Sequence, residues 1–164
     1  MYYTPNAKKF KVQEFFPLET IRDHRESGMS DNSIWRLMDE RILITSERLQ
    51  ARYGTMVIND YLWGGKNQYR GFRPFKSLFD KQYFLEAGLI QPSWSTFTSQ
   101  HCLGRGIDAK FKYHPAEKIR QDILEQPTHP DFIYITCIED GVSWLHFDCR
   151  SWDKSKNGIL VVKP

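Results

Sequence analysis

The sequence predicts an α+β fold in which a small antiparallel sheet is flanked by helices. Three stretches carry that expectation. Residues 31–53 and 115–126 hold apolar side chains at helical spacing between capping and breaking residues, and residues 132–150 hold two apolar-rich runs on either side of a turn pair. The 164 residues suffice for one ordinary domain, whose core buries about two thirds of the surface that the unfolded chain exposes. The chain shows neither internal repeats nor low-complexity tracts.

Taken in order, "PLETIRDHRE" (17–26) reads as a short helix with Pro17 at its first turn and Gly28 as its stop. From Asp31 to Tyr53 a longer helix is expected. Asp31 and Ser33 are cap-type residues, Ile34, Leu37, Met38, Ile42, Leu43, Leu49 and Tyr53 form the apolar stripe, and Gly54 ends it. "MVIND" (56–60) is short and β-rich, a strand. Residues 61–98 carry Gly, Pro, aromatics and Arg without a persistent period, and a connection of that length in a small domain is usually functional. "DAKFKY" alternates Ala109, Phe111 and Tyr113 with lysines, as a strand does, and "PAEKIRQDILEQ" is a helix bounded by Pro115 and Pro127. Within "FIYITCIEDGVSWLHFDCR" (132–150), Asp140-Gly141 is a hairpin turn pair, and "GILVV" near the end is one further strand.

Composition narrows the function. With 40% hydrophobic and 26% charged residues the chain reads as soluble and globular, and 15% aromatic residues is enough to line a groove as well as a core. A net charge of +3 without a Lys/Arg block or basic helix argues against a nucleic-acid partner, though it suits an anionic polymer. Cys102, Cys137 and Cys149 are odd in number and form no C-x-x-C pair, so neither a disulfide framework nor a four-cysteine zinc site is indicated. "MYYTPNAKKFKVQEFF" has no continuous apolar stretch, and nowhere is there a run of about 18 apolar residues. The expectation is a protein made in the cytoplasm without a signal peptide and not inserted in a membrane. A monomer is expected, although nothing in the sequence sets the oligomeric state.

The chemistry concentrates in "SQHCLGRGID" (99–108). In an extended strand rising ~3.3 Å per residue, His101 and Asp108 would lie roughly 20 Å apart on opposite faces. Gly104 and Gly106 allow a reversal that returns Asp108 beside His101. In the second hairpin strand, Trp144, His146, Asp148 and Arg150 share one face, and Leu145, Phe147 and Cys149 share the other, which is the natural core face. His146 therefore points to a groove, with Asp148 two residues on to orient an imidazole. Two histidines and a carboxylate are a known solution for catalytic zinc, with a further position left for water, and His101, Asp108 and His146 fit that inventory. Taken singly, a strand histidine or a nearby aspartate reads as structural. Cys102 reads as a packed small side chain, and His24, His114 and His129 as surface residues.

Together, "SQHCLGRGID" and the later "SWLHFD" resemble the zinc peptidases that include D-alanyl-D-alanine carboxypeptidases and dipeptidases and phage L-alanyl-D-glutamate endopeptidases, whose pattern is S-x-H-x6-D with a later strand histidine. The likeness is closest to a phage-type branch. There the last ligand sits in W/F-x-H-x-D-x-R, here Trp144, His146, Asp148 and Arg150, and an upstream W-G-G … G-F/Y-R-P loop occurs, here "WGGKNQYRGFRP". The resemblance spans about residues 56–150.

What it implies is a zinc-dependent peptidase with His101, Asp108 and His146 as Zn2+ ligands, acting on peptidoglycan stem peptides that contain D-amino acids. Ser99 matches the motif serine as a supporting or turn-stabilising hydroxyl. Arg73 matches an arginine near the substrate, its alternative being a solvated loop residue, and Arg70 is a weaker claimant. Trp63, Tyr69 and Phe72 are expected to wall the cleft. A phage or prophage origin, with delivery to the wall by lysis or in a virion, follows by elimination.

One position departs from the pattern. Dipeptidase-type members carry their base as Glu-x-x-His, but three residues before His146 stands Ser143, which cannot serve as a base at neutral pH. Glu139 is preferred over Asp140 as the base, the alternative being that both are plain turn residues. A strict two-residue turn would leave Glu139 roughly 13 Å from His146 along the strand, and a wider loop would bring it in. The rival to a peptidase is a non-catalytic wall-binding or phage tail module that keeps the fold, and a second is an amidase at the sugar–peptide link.

Overall fold

The computed structural model describes residues 3–5, 9–74 and 99–163. Its first helix, α1 (Val12–Phe15), was not expected from periodicity; it places Phe15 and Phe16, both fully buried, against Trp35 in edge-on ring contacts. α2 (Leu18–Glu26) begins after the extended Pro17 and is followed by Gly28 at φ 73°, as its punctuation requires. The stretch read as a single helix over 31–53 is instead two elements. A 3-10 helix, Asp31–Leu37, ends at the extended Met38, and α3 (Glu40–Tyr53) starts anew. Asp39 causes the break. Its carboxylate accepts from the Arg41 amide at 3.0 Å as an N-cap, while its own amide donates to Gly104 at 2.9 Å, a tie that continued helix would forbid.

The strands are β1 (Met56–Val57), β2 (Gly106–Phe111), β3 (Cys137–Glu139), β4 (Leu145–Asp148) and β5 (Leu160–Val162), in the sheet order β1-β2-β4-β3-β5. The expected α+β fold is present, helices around a small sheet, and one strand pair departs from the antiparallel pattern. β5 runs parallel to β3, because the chain leaves β4, crosses over through α5 (Lys154–Asn157) and returns along the far edge. The remaining pairs are antiparallel. Only Met56 and Val57 of the expected 56–60 strand join the ladder. Residues 75–98 of the long irregular region lie outside the described residues. A 3-10 helix, Tyr61–Trp63, begins the part that is described.

Pleat alternation divides the sheet. Ile107 and Ala109 of β2, Ile138 of β3, and Leu145 and Phe147 of β4 join one fully buried core with Ile42, Leu43 and Leu49 of α3 and Ile119 and Ile123 of α4 (Ala116–Glu125). The intervening residues, Asp108, Glu139, His146 and Asp148, fall on the other side. Among the described residues, no helix is long and apolar enough to cross a membrane.

Candidate metal centre

A tight turn supplies the first histidine. The Cys102 amide donates to Ser99 O at 3.2 Å, Gly104 N–H to His101 O at 3.2 Å, and Arg105 N–H to Gln100 O at 2.8 Å. Of the two glycines expected to reverse the chain, Gly104 takes the left-handed conformation, φ 66°, and a Cβ there would stand 2.1 Å from Leu37 O. Gly106 instead opens β2, where its missing Cβ leaves room for Gln100. The turn and strand thus bring Asp108 back beside His101.

The ladder supplies the second histidine. Asp108 and His146 are direct cross-strand partners in β2 and β4. His146 Nδ1 lies 2.7 Å from Asp108 Oδ1, and His101 Nε2 lies 3.4 Å from Asp108 Oδ2. One ligand-capable atom from each of the three residues falls within 4.8 Å of the other two, and all three side chains are buried. Ligands around a tetrahedral ion at ~2.1 Å stand roughly 3.4 Å apart, so small adjustments would seat a divalent cation here.

The two imidazoles are held from behind. His101 Nδ1 bonds the Gly71 carbonyl at 2.8 Å, which leaves Nε2 facing the centre. His146 Nε2 meets Asp148 Oδ2 at 3.2 Å, which leaves Nδ1. Gly71 reaches this place because its backbone packs on Phe15; a Cβ there would stand 2.2 Å from Phe15 O. The Arg70 carbonyl accepts from the Asp108 amide at 2.8 Å, so the "GFRP" stretch forms the back of the site.

Charge is arranged around a cation. Burial opposes protonation of both histidines, and at His101 it prevails, with the Arg73 charge adding to it, so the value is lowered. At His146 burial is outweighed by hydrogen bonds to Asp108 and Asp148, and its value is pushed up to about 10. Burial would raise the Asp108 carboxyl, but His101 and His146 hold it well below the ordinary carboxylate range. The His146 ring thus lies between two carboxylates, Nδ1 toward Asp108 and Nε2 toward Asp148.

Glu139 enters through the register. Cys137 pairs with Asp148 and Ile138 with Phe147, so the next step sets Glu139 across from His146, at a Cβ separation of ~5 Å. The strict two-residue turn is not formed. Residues 140–144 make a wider connection because the buried Arg120 of α4 grips the carbonyls of Val142 at 3.0 Å and Trp144 at 2.9 Å. Asp140, the other candidate base, is half exposed, 4.0 Å from Arg120, and turned to that guanidinium.

Arg73 lies at the centre: Nη2 is 3.4 Å from Asp108 Oδ2, and Nε donates to Tyr69 O at 2.9 Å. Ser99 bonds the Cys102 thiol through its side chain, and its carbonyl accepts from the Cys102 amide to close the turn. Cys102 is buried, and burial raises its thiol. The four residues expected to contact substrate each make other contacts in the structure. Phe72 is a core residue against Phe16, and the buried Tyr69 hydroxyl bonds the Glu19 carboxylate. Arg70 directs its guanidinium to Asp60, and Trp63 lines a separate pocket with Lys9, Lys11 and Met56. His24 is likewise no surface residue: it is buried, with Nε2 at 2.8 Å from Ser33 Oγ.

Searches of protein-family models, of curated proteins and of solved structures find no match to this chain.

Proposed function

We propose that this protein is a zinc-dependent peptidase that hydrolyses peptide bonds in peptidoglycan stem peptides, in the manner of a D-Ala-D-Ala carboxypeptidase or L-Ala-D-Glu endopeptidase. The observation that carries the reading is the convergence of His101, Asp108 and His146, each imidazole anchored through its other nitrogen, beside an arginine and a carboxylate. The substrate class comes from the motif resemblance alone.

A zinc ion in such a site supplies a Lewis acid and lowers the pKa of a bound water toward ~7. Glu139, on the same face as His146, takes the proton from the attacking water and delivers it to the leaving amine. Arg73, fixed by the Tyr69 carbonyl, offers its remaining N–H groups to the developing oxyanion or to a substrate carboxylate.

The test is digestion of purified peptidoglycan by the zinc-loaded chain, with fragments analysed by mass spectrometry and Glu139→Gln as control. New amine termini within stem peptides are expected. Intact peptides with a fully loaded protein would support a binding module, and release at the sugar–peptide link an amidase.

A further inference from the structure

We propose that Arg150 is a positioning residue of this centre, acting through Asp148 to hold His146 with Nδ1 toward the metal; the inference rests on the metal-binding reading above. Asp148 is fully buried, and Arg150 holds both oxygens of its carboxylate. Oδ1 accepts from the Arg150 amide at 3.1 Å and from Nε at 3.0 Å, while Oδ2 accepts from Nε at 2.9 Å and from Nη2 at 2.5 Å. The same Oδ2 faces His146 Nε2. Backbone and guanidinium together fix the plane of the carboxylate, so the one oxygen that touches the imidazole cannot swing away.

Charge gives the second reason. A buried carboxylate needs a compensating cation. Arg150 supplies that cation, with Nη2 2.5 Å from Asp148 Oδ2. Without it the carboxylate would lose the partner that fixes both its oxygens, and its hold on His146 would slacken. Arginine suits the task because its planar fork meets both oxygens, which the single ammonium of lysine cannot do. The Arg150 guanidinium hydrogen-bonds the Asp148 carboxylate, so its hold on His146 passes through Asp148.

The test compares zinc affinity, by competition with a chromophoric chelator, and the visible spectrum of the cobalt-loaded protein, for wild type, Arg150→Met, Arg150→Lys, Asp148→Asn and the double variant Arg150→Met/Asp148→Asn. Wild type is expected to bind one equivalent. Arg150→Met should lose about 10- to 100-fold in affinity and alter the cobalt spectrum, with partial recovery in Arg150→Lys. In the Asp148→Asn background, Arg150→Met should add little. Circular dichroism of each metal-free variant separates unfolding from misplacement; should Arg150→Met not fold, the Arg150→Lys affinity and spectrum decide. Folded Arg150 variants with wild-type affinity and spectrum, or additive losses in the double variant, would overturn the role of Arg150 while leaving the metal centre intact. Failure of the wild type to bind zinc would overturn both.

Discussion

Glu139 and His146 stand opposite each other across the β3–β4 ladder, a pairing set by the Cys137–Asp148 and Ile138–Phe147 register. A carboxylate so placed stands beside the candidate metal centre, although no glutamate stands at the expected place three residues before the histidine.

Glu139→Gln should therefore keep zinc stoichiometry and fold yet lose about 10²- to 10⁴-fold in kcat on stem peptides, whereas Asp140→Asn should change it little. Steady-state kinetics with metal analysis of each variant checks the pair. Equal losses in both would move the base out of β3.

Metal uptake should release protons. At pH 7 the metal-free centre carries a protonated His146, pushed up to about 10, beside a neutral His101 and an ionised Asp108. Zinc must displace the His146 proton, so about one proton should leave per ion and affinity should rise with pH toward 10. Calorimetry in buffers of different ionisation enthalpy measures this number, and His146→Ala should lose stoichiometric zinc altogether.

Stability of the metal-free protein should follow the same group. The folded His146 value lies above its unfolded ~6.5, so between these values the native state holds more protons than the unfolded one. Its contribution is complete below about pH 6.5 and is lost as pH rises through about 10. Denaturant midpoints should fall from pH 6.5 to 9, and the fall should shrink in His146→Gln. This window lies below that of Cys137 and Cys149, whose thiols burial pushes up to about 12.

Gly104→Ala should destabilise the fold by at least about 1–2 kcal/mol, the cost of a left-handed non-glycine residue, before its contact with Leu37 O is counted. Zinc affinity should fall with it, because the turn that carries His101 loses its shape. Thermal unfolding and chelator competition read the two effects.

The centre was more legible than its surroundings. His101, Asp108 and His146 could be grouped because a glycine-bearing turn and strand alternation are local signals, and both depend on neighbours within a few residues. The register that brings in Glu139 was not readable, since it is set by Arg120 reaching from α4 to the Val142 and Trp144 carbonyls, far away in sequence. The Gly71 carbonyl behind His101 was hidden for a similar reason: backbone acceptors leave no side-chain signature, and only the glycine, forced by Phe15, hints at a close approach. Aromatics misled. An aromatic-rich loop does not say which rings turn inward, and the fold buries both Tyr69 and Phe72. The parallel β5 and the break at Asp39 were invisible because each depends on where the chain returns, not on what it is made of.

Because Asp108 and His146 are direct ladder partners, the centre also acts as a gauge of strand alignment. Sliding β2 past β4 by a single residue would turn one set of side chains to the opposite face and separate the donors. An ion that needs both would favour the correctly registered β2–β4 pair over its slipped competitors, so loading during folding should sharpen the choice of alignment as well as equip the finished protein.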